Sequence, residues 1–141
     1  MATAYSTSSA SAVSVRGADS LALAGRAGIA AIFLLAGWSK VTAPAYTIGY
    51  IQSVGAPFPE VAFAISVIVE LIGGLALVLG YRTRLVAAGL AAFSVVTALM
   101  FHANLADQSQ FINFFKNIAM AGGLLQVVAF GAGRYSIDAR R

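Results

Sequence analysis

Four ionisable side chains stand in or at the ends of stretches that are otherwise apolar: Arg26, Glu70, His102 and Lys116. An ionisable group inside a bilayer costs about 2.5–3.5 kcal/mol on insertion scales unless it is paired or hydrated, so each marks a candidate site. Counted inward from the outer face at about 1.5 Å per residue, His102 lies near the interface, with Lys116 about 8 Å, Glu70 about 14 Å and Arg26 about 21 Å deep. Steps of roughly 6–8 Å are within reach of long side chains on neighbouring helices, so the spacing predicts a polar ladder. A desolvated carboxyl such as Glu70, with Arg26 or Lys116 beside it, can take and give protons. Which of the two bases pairs with it is left open by the sequence. A ladder of this kind suits a quinone head group, which needs hydrogen-bond donors at two carbonyls and proton exchange on reduction. Lys116, Asn117 and His102 are the candidate donors, Glu70 the proton relay, and Trp38 or Phe111 the stacking surfaces. The plainer alternatives are a Glu70 ion pair that only fixes helix register, a Lys116 that snorkels to the surface, and Trp38 and Lys40 as belt anchors.

The elements that must carry these residues are apolar helices. Of 141 residues, 60% are hydrophobic and 10% charged, against about 25% charged in a soluble domain. One short chain cannot cover that much apolar surface with so few charges, so an ordinary soluble enzyme is excluded and the lipid bilayer is the solvent. Spans are expected at about 21–39, 60–80, 85–102 and 111–131, each near the 17–25 or so residues that cross a bilayer. Asp19 and Ser20 are suited to cap the first, and Pro59 to open the second. Gly80 closes the second, and Tyr81 to Arg84 make a tight turn. Pro44 can open a short helix bearing Tyr46, Tyr50 and Val54, ended by Gly55 and lying at the membrane interface. The expected fold is all-α: a transmembrane four-helix bundle, residues 19–138, with a short interfacial helix between spans 1 and 2. Residues 1–18 are Ser/Ala-rich without periodicity and are expected to form a disordered cytoplasmic tail.

Phase places Ser66, Glu70, Gly73, Gly74 and Leu77 on one side of the second helix. It places Asn113, Lys116 and Asn117 together on the fourth, and Arg26, Ala30, Phe33, Gly37 and Lys40 together on the first. Arg16, Arg82, Arg84, Arg134, Arg140 and Arg141 fall on one side of the membrane and Lys40 alone on the other, which predicts both termini in the cytoplasm. The net charge of +4 is read as topology, with no nucleic-acid partner. There is no cysteine, which removes thiolate chemistry, cysteine-ligated metal and iron–sulfur clusters. No metal site is expected with a single histidine. No phosphate-cradle, zincin or nucleophile-elbow motif is present.

In their order along the chain, several motifs resemble the DoxX family of small bacterial inner-membrane proteins. They are an arginine in the first span, Ala36-Gly37-Trp38-Ser39-Lys40, and Gly55-Ala56-Pro57-Phe58-Pro59. Glu70-Leu71-Ile72-Gly73-Gly74, Gly80-Tyr81-Arg82-Thr83-Arg84 and the lone His102 follow. Lys116-Asn117, Gly122-Gly123-Leu124-Leu125 and the segment Gly131 to Asp138 complete the series. The resemblance covers residues 20–138. It implies a four-helix membrane bundle in the bacterial inner membrane, and a link to thiosulfate:quinone oxidoreduction, quinol oxidase subunits or oxidative stress. Arg26, Glu70, His102, Lys116 and Asn117 coincide with the family's recurring polar positions. The favoured expectation is a quinone-linked membrane subunit with a protein partner or as a homo-oligomer. A non-catalytic membrane anchor or assembly partner is the alternative, and a small transporter the third.

Overall fold

The computed structural model describes residues 15–141, with side chains from Gly17 onward. The tail expected at residues 1–18 falls outside this range up to residue 14. Five helices carry the fold: α1 Val15–Thr42, α2 Pro44–Ser53, α3 Pro59–Leu79, α4 Thr83–Phe101 and α5 Gln108–Phe130. No strand occurs among the described residues. Helices α1, α3, α4 and α5 are each long and apolar enough to span a bilayer, and short α2 connects the first two. The fold is thus the all-α four-span bundle with a connecting helix that the apolar pattern predicts.

Helix boundaries follow local chemistry. Pro44 and Pro59 stand in the first turns of α2 and α3, where a missing N–H costs nothing. Gly80 ends α3 at φ +69°, a left-handed conformation that needs no Cβ. Asp107 caps α5 by accepting the Gln110 N–H. Asp19 and Ser20 do not begin α1, which starts four residues before Asp19 and runs through both. The Asp19 carboxylate instead accepts the Arg134 N–H at 2.9 Å, a tertiary contact that residue spacing does not reveal.

Chain neighbours are neighbours in space. Helices α4 and α5 pack along their length, α1 packs on α3, and α1–α5 and α3–α4 contacts close the ring. The core is narrow: Ala30 and Phe33 from α1, Leu77 from α3, Ala87, Leu90 and Ala91 from α4, and Ala121 and Leu124 from α5. Most other large apolar side chains face outward, as lipid-solvated helices require. Small residues set the approach of α1 to α3: a Cβ at Gly37 would lie 2.7 Å from Leu71, and one at Gly74 would lie 3.1 Å from Leu34.

One end of the bundle, hereafter the tail end, holds the start of α1, the α3–α4 turn and the C-terminal segment. That segment folds back after α5: the Ile137 and Asp138 N–H groups donate to Leu79 O and Gly80 O. Asp138 then caps α4 by accepting from the Arg82 and Thr83 N–H groups and the Thr83 hydroxyl. The opposite end is crossed by α2, whose Tyr50 hydroxyl donates to Phe101 O at 3.2 Å.

Candidate functional site

Glu70 sits where α3 departs from α-helical geometry. Residues Val69–Gly73 form a π-turn, which admits one extra residue and re-aims side chains; such turns are frequent at functional sites. The Glu70 residue is 5% exposed. Both of its oxygens accept from Lys40 Nζ, at 2.7 and 2.8 Å. Lys40 lies in the last turn of α1, where a cation also suits the helix dipole. The absent side chain at Gly37 makes the pairing reachable: a Cβ there would lie 3.2 Å from Glu70 Cβ, so α1 and α3 nearly touch one turn before Lys40. The Lys40 side chain is 24% exposed, so the pair is closed on the carboxylate side and partly open on the ammonium side. Two of the three ammonium protons serve Glu70, and one remains to donate.

This pairing corrects the expectation that Arg26 or Lys116 would neutralise Glu70. Arg26 is 1% exposed and belongs to the tail end. Its Nη1 donates to Leu77 O and Val78 O at 2.8 and 2.9 Å, and its Nη2 to Tyr135 O at 2.7 Å. It thereby ties the final carbonyls of α3 to the C-terminal segment. Lys116 faces outward and donates to Asn113 Oδ1 on its own helix at 2.7 Å. Residues 116 and 117 stand 100° apart, so the face expected to hold both is split: Asn117 is buried, donating to Asn113 O, while Lys116 is exposed. His102 Nδ1 meets Gln110 Oε1 at 2.6 Å and pins the α4–α5 connection. The four ladder residues thus have four separate sets of partners, and no continuous hydrogen-bonded ladder joins them. Trp38, 64% exposed, and Phe111, 47% exposed, lie on the outer surface. Phe111 packs on Phe115, with ring centroids 4.7 Å apart.

Depth alone does not identify Lys40 as the partner, because its backbone lies at a span end, where lysines usually anchor. The signal was present in the helical phase, which already put Lys40 on the Arg26–Gly37 face. The long lysine stem does the rest, here reaching inward rather than outward.

At the residue level the arrangement is a protonatable pair in a low-dielectric setting, with one donor to spare and partial access from the α2 end. The donor set fits the polar end of a hydrogen-bond-accepting head group. Two shallow grooves occur elsewhere, one of about 450 Å³ beside Gln108, Ser109, Ile112 and Asn113, the other of about 360 Å³ at the tail end beside Arg82 and Arg84.

Fold and site together define a four-span α-helical membrane protein with an ion pair inside its helix bundle. The family model for DoxX matches residues 21–103. Inner membrane protein YqjF of Escherichia coli (strain K12) is 37% identical over 107 residues, covering 76% of this chain and 81% of that protein. Inner membrane protein YphA of the same organism is 33% identical over 125 residues, covering 85% of this chain and 89% of that protein. The chain belongs to the DoxX family. No solved structure matches it. The family match contains Lys40, Glu70 and the π-turn, and ends just after His102.

Proposed function

We propose that the chain is an integral inner-membrane subunit of a quinone-linked redox or oxidative-stress system, with both termini in the cytoplasm. In this reading the Lys40–Glu70 pair binds the head group and handles its protons. The observation that carries it is a buried carboxylate held on both oxygens by an ammonium that stays partly accessible, at the π-turn of α3. A bound quinone would supply two carbonyl oxygens that accept hydrogen bonds and, with electrons, take up protons. Lys40 donates its remaining N–H to one such oxygen and orients it. Glu70 holds Lys40 in place and relays a replacement proton to it when the ammonium gives one to the reduced head group. Tyr50 and Phe101, with ring centroids 6.0 Å apart, form part of the cover at the α2 end. His102 is a further hydrogen-bond donor at that end, and Asn117 is a second, deeper one. Lys116, Trp38 and Phe111 face lipid and meet whatever approaches from the bilayer. The inner-membrane placement is supported by the two relatives and the orientation by the arginine-rich tail end. Quinone extracted from the natively purified protein and counted per chain tests the reading. Near-stoichiometric quinone that falls in folded Glu70→Gln and Lys40→Met variants is expected, and its absence from the wild type would contradict the proposal.

A role as membrane anchor or assembly partner is favoured by a different observation. Gln126 lies within the α5 span on its outward face and has no hydrogen-bond partner among the described residues. Lys116 is exposed on the same helix. Polar groups on a lipid-facing surface suit contact with another helix. The chain lacks cysteine, so a Gln126→Cys variant offers a single thiol whose crosslinking reads such a contact directly.

A further inference from the structure

The tail end carries a groove of about 360 Å³ between the start of α4 and the end of α5, lined in part by Arg82, Arg84, Leu85, Gly131 and Asp138. Its charge is unbalanced. Both Asp138 oxygens are already engaged, one by the Arg82 N–H and the other by Thr83, so the carboxylate is turned into the fold. Neither the Arg82 nor the Arg84 guanidinium has a hydrogen-bond or ion-pair partner among the described residues. Arg84 is held along the groove wall: a Cβ at Gly131 would stand 3.6 Å from its Nε and Nη2. Two free guanidinium groups therefore flank one carboxylate that is spent.

The groove also sits at a defined height. Thr83 begins one span and Gly131 follows the last residue of another, so it opens at head-group level, while exposed Leu85 faces the acyl region. We propose that this groove seats the phosphate of an anionic glycerophospholipid, with Arg82 and Arg84 donating to its oxygens and its chains running down past Leu85. Guanidinium forks match phosphate oxygens bidentately. A zwitterionic lipid brings an ammonium to the same place, which the arginines repel. The proposal rests on the membrane placement of the helices and is independent of the quinone reading.

The test is native mass spectrometry of the protein taken from mixed phosphatidylglycerol and phosphatidylethanolamine bilayers, with circular dichroism confirming the fold of each variant. The wild type is expected to retain phosphatidylglycerol at least fivefold over phosphatidylethanolamine. Each arginine removed is expected to weaken retention about fivefold. Arg84→Gln alone, at an exposed and unpartnered side chain, is the variant that keeps the fold if the Arg82→Gln/Arg84→Gln double variant does not. Arg140→Gln removes the same charge outside the groove and should leave the preference intact. Equal retention of both lipids by the wild type, or a loss in Arg140→Gln matching that in Arg84→Gln, would overturn the proposal. Displacement of the lipid by glycerol phosphate at comparable concentration would also overturn it, in favour of a free phosphate ester.

Discussion

Lys40 reaches back into the bundle because Gly37, one turn earlier, lets α3 come close enough for both Glu70 oxygens to be met. Removing the ammonium leaves a buried carboxylate without a partner. Breaking a fully buried pair costs about 3–5 kcal/mol, and the partial exposure of Lys40 places Lys40→Met near or below the lower bound. The Lys40→Met/Glu70→Gln double variant should be more stable than Lys40→Met alone, as read from unfolding midpoints in one detergent. A second residue-scale prediction concerns Asp138, which lies outside the spans. Its carboxyl is held below the ordinary value of 3.8 by hydrogen bonds from the Thr83 N–H and hydroxyl and the Arg82 N–H, with Arg141 adding its charge. A depressed carboxylate contributes stability that is fully present above its unfolded pKa and is lost as pH falls through the folded one. Acid titration of the melting temperature should therefore fall more steeply below about pH 4 in the wild type than in Asp138→Asn.

Glycine spacing and the π-turn decide which side chains meet at the level of the helices. A Cβ at Gly37 would stand 2.7 Å from the Leu71 side chain, so Gly37→Leu should separate α1 from α3. Overpacking of this kind costs about 1–3 kcal/mol. The same change should stretch the Lys40–Glu70 pair, so the variant is expected to lose stability and any bound head group together. Helix existence, order and approximate ends were legible in the sequence because long apolar runs, prolines at helix starts and Gly80 at a helix end are local signals. The π-turn was not legible, since Val69 to Gly73 carry no residue that demands it over an α-turn. The face expected from 100° steps survives it, since Ser66, Glu70, Gly74 and Leu77 are all buried. Phase was right for Lys40 on the Arg26–Gly37 face, whereas depth was misleading, because a lysine head group need not lie level with its Cα. Lys116 and Asn117 show the reverse error: adjacent positions were given one face although only Asn117 points inward.

Over the whole molecule, the two ends do different work. The tail end is a structural closure: Arg26, Asp138 and the backbone of Tyr135 and Ile137 bind the C-terminal segment to α3 and α4. None of this was read from the sequence, because Gly131 to Asp138 has no periodicity and its partners are distant in the chain. Truncation after Gly133 would strip Arg26 Nη2 and the first N–H groups of α4 of their acceptors. It should lower the melting temperature by several degrees or more, since four hydrogen bonds to charged groups are lost, each worth about 1.5–3 kcal/mol before water replaces the partners. Toward the α2 end, the ion pair joins Lys40, in the last turn of α1, to Glu70 near the middle of α3, with its partial opening on the Lys40 side. The measurement that tests the account most directly is quinone per chain, extracted from protein purified with its native lipid, for the wild type and folded Lys40→Met and Glu70→Gln. Nearly one quinone per wild-type chain, falling in both variants, is the predicted result. Wild-type protein that is folded, lipid-bearing and free of quinone would contradict it.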